Sequence, residues 1–168
     1  MFHAIQVWFA ATPPAAIVRD VVWFKALLES AHILADGLVL FSVGMICVRV
    51  ARASSPDAAA EAARRFAPWV WGALAVAVST GLVLLTGAGR RGLDNPMFQI
   101  KLAALLSAAL VTGGLQLSLA RDAGFWTVNP RRRAAAAMLG PLCFLLWLAT
   151  VFAGRLLAYS TAFFEPRY

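Results

Sequence analysis

Long apolar runs, separated by short basic or glycine-rich stretches, dominate the chain. Four runs are long enough to cross a bilayer, since about 20 apolar residues span its hydrocarbon core. The predicted spans cover residues 23–48, 69–88, 97–119 and 134–159. The pattern therefore predicts an all-α integral membrane four-helix bundle, folded as a single membrane domain over residues 1–168.

The N-terminal stretch MFHAIQVWFAATPPAA is apolar but too short to span. Its apolar positions 2, 5 and 9 are spaced as on one face of a helix. This spacing predicts a short helix over residues 2–11 that lies in the membrane interface and is ended by Pro13 and Pro14. A disordered terminus is the alternative.

Prolines and small polar residues mark further boundaries. Ser55 is a good N-cap for a short helix in the first connection, and Pro68 precedes the second span. Asn95 and Pro96 open the third span. Pro141 lies inside the fourth span, where its missing backbone donor predicts a kink.

Composition supports a lipid environment for this chain. Hydrophobic residues make up 61% of the chain and charged residues 14%, whereas soluble domains carry about 25% charged residues. A net charge of +7 would suit a nucleic-acid partner. The arginines, however, flank the apolar runs as topology signals do, which argues against nucleic acid. Cys47 and Cys143 lie inside apolar runs, without a CxxC motif, and predict buried hydrophobes rather than a disulfide framework.

The distribution of arginine predicts the orientation. Two connections separated by two spans hold eight of the 15 basic residues. These eight are Arg49, Arg52, Arg64, Arg65, Arg121, Arg131, Arg132 and Arg133. The positive-inside rule therefore places both connections on the cytoplasmic side and both termini on the opposite side.

Charged residues inside the spans form a candidate site. Glu29, His32 and Asp36 are spaced i, i+3 and i+7, which places them on one face of a helix. Asp36 lies roughly 20 Å along the first span. Lys101 and Arg155 enter the same leaflet from other spans, so the five residues can nearly balance their charges. The hydroxyls of Thr80 and Thr86 can add donors.

Several roles fit this predicted cluster. A pair of Arg155 and Glu29 that only holds helices together is one interpretation, although intramembrane ionisable residues are by default functional candidates. His32 is a candidate axial ligand of haem b, for which His3 is the only other histidine. A relay or metal site for ions or protons, using His32 and Asp36, is another reading. A non-catalytic subunit or anchor, whose polar face meets a partner, is the third.

Four stretches together resemble a family of small bacterial four-span inner-membrane proteins. They are ESAHIL, PWVWGALAVAVSTGLVLL, NPMFQIKLAAL and WLATVFAGRLLAY. The family is distantly similar to the membrane part of copper-resistance D-type proteins. The resemblance singles out Glu29, His32, Asn95, Pro96, Lys101, Gly154 and Arg155. Asp36 departs from the pattern, and Gln116 stands where a histidine often occurs, which counts against a bis-histidine haem.

The resemblance implies a multi-pass protein of the bacterial inner membrane and transfers no activity. In that membrane the arginine distribution predicts that both termini are periplasmic. The sequence contains none of the nucleophile or phosphate-loop motifs of soluble enzymes, so no catalytic residue is assigned. We expect an accessory or anchor subunit whose partners are the bilayer and other membrane subunits or a second copy. A haem- or quinone-linked redox role using His32 is the alternative, followed by ion, proton or metal translocation.

Overall fold

The computed structural model describes residues 11–52, 56–87 and 95–164, except for the side chains of Pro56 and of residues 158–164. The described residues form five helices and no strand, which confirms the all-α prediction. The helices are α1 (Pro13–Asp20), α2 (Val22–Arg52), α3 (Pro56–Gly87), α4 (Pro96–Arg121) and α5 (Pro130–Phe164).

Helices α2 to α5 are the four membrane spans. Each is longer than 18 residues, and the most apolar stretch of each has a mean hydropathy between 1.7 and 2.0. Large apolar side chains on their outer faces, such as Leu34 and Leu110, are about three-quarters exposed. Outward-facing apolar surface of this extent needs a lipid solvent. The chain is therefore a small multi-pass membrane protein.

The four spans pack around one apolar core. Helix α3 packs closely on α2, α5 packs on both α2 and α4, and α3 meets α4 over a smaller area. The core residues include Val43 and Ile46 of α2, Val70 of α3, Leu115 of α4 and Trp147 of α5.

Glycines bring α2 and α5 close together. A Cβ atom added to Gly140 would lie 2.8 Å from the backbone oxygen of Cys47, and one added to Gly44 would lie 3.3 Å from the ring of Phe144. Because glycine has no side chain, the two helices can approach closely at these positions, as in many helix pairs in membranes. Cys47 and Cys143 are both buried in the same region, as predicted.

Prolines behave differently from the prediction at two places. The predicted short helix of the first connection and the second span are one continuous helix, α3, which contains Pro68. The alanine-rich sequence before Pro68 favours helix strongly, and Ala59 and Ala63 are buried, which offsets the loss of one backbone hydrogen bond.

Pro13 and Pro14 begin a helix, α1, that the apolar pattern did not predict. Proline suits the first turn of a helix, where its missing N–H has no partner to lose. Val18 of α1 packs against Gly87 at the end of α3. The predicted helix over 2–11 lies, except for its last residue, outside the described residues.

The boundary predicted at Asn95 and Pro96 is confirmed. Asn95 is the N-cap of α4, and its side-chain oxygen accepts a hydrogen bond of 2.9 Å from the backbone N–H of Met97. Pro96 takes the first helical position. This start places Lys101 slightly more than one turn into α4, about 7–8 Å along its axis.

Candidate functional site

His32 lies at the centre of a polar cluster between three helices. Its Nδ1 is 3.0 Å from the hydroxyl oxygen of Thr80 on α3. Its Nε2 is 3.3 Å from Nζ of Lys101 on α4. The imidazole of α2 therefore links α3 and α4 through its two ring nitrogens.

The hydrogen bonds of Thr80 indicate which nitrogen of the His32 ring carries the proton. The Thr80 hydroxyl donates to the backbone oxygen of Val76 at 2.7 Å, so its oxygen is left to accept the N–H of His32 Nδ1. A neutral imidazole with Nδ1 protonated carries a lone pair on Nε2. That lone pair accepts a hydrogen bond from the Lys101 ammonium group. Both ring nitrogens of His32 and the Thr80 hydroxyl therefore have a partner.

Asp36 brings a negative charge to the same point. Its Oδ2 is 3.7 Å from Nε2 of His32, one helical turn earlier on α2. The carboxylate of Asp36 and the ammonium of Lys101 thus both lie within 4 Å of the same ring nitrogen. A cluster with one charge of each sign is far less costly to bury than an isolated ion.

Two glycines make room for the cluster. A Cβ atom on Gly81 of α3 would lie 3.1 Å from Cε1 of His32. A Cβ atom on Gly154 of α5 would lie 2.9 Å from Nζ of Lys101. All four spans therefore shape the site, although α5 contributes backbone rather than a side-chain contact at Gly154.

Asp36 is not fully enclosed. It lies near the middle of the 31-residue helix α2, about 21 Å along the axis from the first residue. Its side chain is 25% exposed, and that of His32 is 17% exposed. The Asp36 carboxylate, near the centre of a span, is thus partly exposed on the outer surface of the bundle.

The structure brings together three of the five predicted residues: His32, Asp36 and Lys101. Glu29 instead lies 3.8 Å from Lys25, one turn earlier on α2, and both side chains are more than half exposed. Arg155 follows Gly154 on α5 and has an exposed side chain.

The two threonines of α3 differ in role. Thr80 joins the cluster, whereas the Thr86 hydroxyl donates to the backbone oxygen of Val83. Gly81 was not predicted as a site residue, and its only sequence signal is its position next to Thr80.

A second polar network lies deeper in the bundle and was not predicted. The indole N–H of Trp147 donates to the hydroxyl of Thr112 at 2.8 Å, and that hydroxyl donates to the backbone oxygen of Ala108 at 2.7 Å. Sγ of Cys143 is 3.2 Å from the same hydroxyl. These polar groups are buried and mutually satisfied, which suits a role in fixing the packing of α4 on α5.

The geometry of His32 does not suit a haem ligand as it stands. Both ring nitrogens are engaged, so ligation of iron through Nε2 requires Lys101 and Asp36 to move away. His3, the only other histidine, lies outside the described residues. The part of the chain that the structure describes has no group of three or more histidine, cysteine or acidic side chains that could hold a metal ion.

Comparisons with family models, with characterised proteins and with solved structures find no match for this chain. The resemblance to small bacterial four-span inner-membrane proteins therefore stays a prediction.

Proposed function

We propose that this protein is an accessory or anchor subunit of a larger complex in the bacterial inner membrane, and that a transmembrane helix of a partner covers its Asp36 edge. The Asp36 edge is defined as the exposed side of Asp36 and His32 with the neighbouring Ile33. Ile33 is 61% exposed and lies three residues before Asp36, on the adjoining side of α2.

The carrying observation is the partly exposed carboxylate of Asp36 near the centre of a span. A charged group at this depth costs about 2.5–3.5 kcal/mol on insertion scales, and such groups normally face protein rather than lipid. His32 is neutral, so Lys101 supplies the compensating positive charge, and it does so only on the side of Asp36 that faces the bundle. A partner helix that offers a hydrogen-bond donor would shield the remaining side from lipid.

Translocation of ions or protons has less support. Beyond the cluster, the interior of the bundle is lined by Val39, Val43, Ile46 and Val70, which are all buried. An ion path needs polar groups at successive depths, and the buried polar groups described in this layer, such as the hydroxyls of Ser42 and Thr112, carry no charge. A haem-linked role would require His32 to give up both of its partners at Nε2.

Site-specific photo-crosslinking in cells tests the proposal. A photoreactive phenylalanine analogue at position 33 samples the Asp36 edge. The same residue at position 34 is the matched control, because Leu34 is 74% exposed but points about 160° away from Asp36 around the helix.

We expect a protein adduct from position 33, its loss on Asp36→Asn, and no adduct from position 34. Equal labelling at both positions, or only lipid at both, would contradict the proposal. An adduct of twice the mass of the chain would identify a second copy as the partner and argue against an accessory role.

A further inference from the structure

A groove runs between α3 and α4, where these helices separate. It has a volume of about 410 Å³, which is within the range of ligand pockets. Ala67 of α3 and Gly113 of α4 form its walls, together with further alanines, and Trp71 and Gln116 also line it. The walls are mostly small and apolar.

The dimensions suit a single hydrocarbon chain. From Ala60 to Trp71 the groove follows α3 for about 16 Å at 1.5 Å per residue. A transmembrane helix about 10 Å across would need the two helices to separate further. An acyl chain can lie between small side chains without moving either helix.

The outer end of the groove is strongly basic. At this end of the bundle α2 and α4 end and α3 and α5 begin. The stretches 49–65 and 121–133 hold eight arginines against three acidic residues, Asp57, Glu61 and Asp122. All eight arginine side chains are exposed.

Arg64 itself lines the groove. Its guanidinium is 2.6 Å from a carboxylate oxygen of Glu61, which neutralises one of these charges. The surplus of arginine leaves this end positive, and positive charge beside a bilayer attracts anionic headgroups.

A buried amide donor lines the groove, about one turn nearer the arginine-rich end than Gly113. The indole N–H of Trp71 donates to Oε1 of Gln116 at 2.8 Å. Because an indole nitrogen can only donate, this bond fixes which end of the amide faces Trp71. Nε2 of Gln116 is buried and has no hydrogen-bond partner within the described ranges. A buried donor without an acceptor is costly, and an ester carbonyl oxygen at this depth would satisfy it after a small rotation.

From these features we infer that the α3–α4 groove binds one anionic phospholipid from the leaflet at the arginine-rich end. The headgroup phosphate lies beside Arg64, one acyl chain lies along Ala67 and Gly113, and an ester carbonyl accepts from Gln116. This site is on the opposite half of the bundle from the Asp36 edge and is independent of the partner proposed there.

Native mass spectrometry of the detergent-purified protein tests the site. The probes are phosphatidylglycerol and phosphatidylcholine with identical acyl chains. We expect one phosphatidylglycerol to be retained at a detergent concentration that removes phosphatidylcholine. Equal retention of the two lipids would overturn the inference.

Two adjacent glycines provide a matched pair of variants. Gly113→Leu places a side chain in the groove, where a Cβ atom would lie 3.6 Å from Trp71, an ordinary contact. Gly114→Leu adds the same side chain where nothing lies within 4 Å. We expect Gly113→Leu to lose the retained lipid and Gly114→Leu to keep it. Retention by both variants would exclude the groove as the site.

The charge at the groove has its own control and does not depend on the glycine variants folding. Arg64→Gln removes the arginine that lines the groove, and Arg131→Gln removes an exposed arginine at the same end. One basic residue near the membrane surface changes affinity for anionic lipid about fivefold. We expect that loss for Arg64→Gln, with a smaller one for Arg131→Gln. Equal losses would indicate diffuse attraction to the bilayer surface and overturn a defined site.

Discussion

His32 shows how one side chain can connect three helices at a single point. Its neutral ring donates to Thr80 and accepts from Lys101, and Asp36 lies beside the accepting nitrogen. Both ring nitrogens have a partner because Thr80 supplies a hydroxyl and Lys101 an ammonium, and Asp36 adds a carboxylate beside them. The stability of this cluster should therefore depend on the set rather than on any single residue.

A double-mutant cycle on Lys101 and Asp36 tests that dependence. Lys101→Met leaves the Asp36 carboxylate without its cation, and we expect it to lower the free energy of unfolding by about 1–3 kcal/mol. Asp36→Leu should have a similar effect, since it leaves the ammonium without its anion. The double variant should lose clearly less than the sum, as measured by denaturant unfolding in detergent.

Independent effects would argue against this account. If the two losses add within about 0.5 kcal/mol, the two residues do not share a cluster. Glu29→Gln is the control on the same helix, because Glu29 and its neighbour Lys25 are more than half exposed. We expect Glu29→Gln to change the free energy of unfolding by less than about 0.5 kcal/mol.

At the level of the helices, glycine decides where two spans may touch. Gly140 and Gly44 bring α2 and α5 together, while Gly81 and Gly154 admit the polar side chains of neighbouring helices. Gly72 and Gly114 have nothing within 4 Å and face outward. Glycines that look alike in the sequence therefore have different packing roles.

A comparison of two glycines on α3 tests this difference. Gly72→Ala gains about 1 kcal/mol of helix propensity at no steric cost. Gly81→Ala gains the same propensity but pushes the new methyl group against the His32 ring, 3.1 Å away. We expect Gly81→Ala to be less stable than Gly72→Ala by about 1–3 kcal/mol, as measured by thermal unfolding followed by circular dichroism.

The His32 ring provides the control for Gly81. In a His32→Ala background the ring is absent, so the two alanine variants should become equal in stability. A difference that persists without the ring would place its cause elsewhere on α3.

At the scale of the whole molecule, charge separates the two ends of the bundle. The arginine-rich end carries eight exposed arginines, whereas the other half holds the balanced cluster of His32, Asp36 and Lys101. The positive-inside rule predicts that the arginine-rich end is cytoplasmic. The lipid groove would then lie in the cytoplasmic leaflet, and the cluster would lie on the side of the termini.

Labelling of single introduced cysteines tests this orientation. Lys25→Cys and Arg64→Cys place thiols toward opposite ends of the bundle. Both native side chains are more than half exposed, so both thiols should be accessible to a reagent. The native Cys47 and Cys143 are buried and should give little background. We expect a membrane-impermeant maleimide to label Lys25→Cys in spheroplasts and Arg64→Cys only after lysis. The reverse pattern would show that the orientation is wrong.

The sequence by itself determined the class of the protein and most of its helices. Apolar runs of about 20 residues or more favour a lipid environment, and within lipid a helix satisfies the backbone hydrogen bonds. The four spans therefore follow from composition and length. Asn95 and Pro96 marked the start of α4 because capping is local. The sequence also predicted that Lys101 enters the same leaflet as the polar face of His32 and Asp36, since rise per residue converts position into height.

The tertiary structure alone decided which neighbours meet. Depth does not give rotation about a helix axis, so the sequence could not separate the clustered His32, Asp36 and Lys101 from Glu29, which lies beside Lys25 instead. The continuity of α3 through Pro68 depended on burial of the alanines before it. The Thr112 network and the α3–α4 groove depend on how the spans pack against one another. This packing is set by the fit of side chains between helices and not by the hydrophobic pattern of any one span.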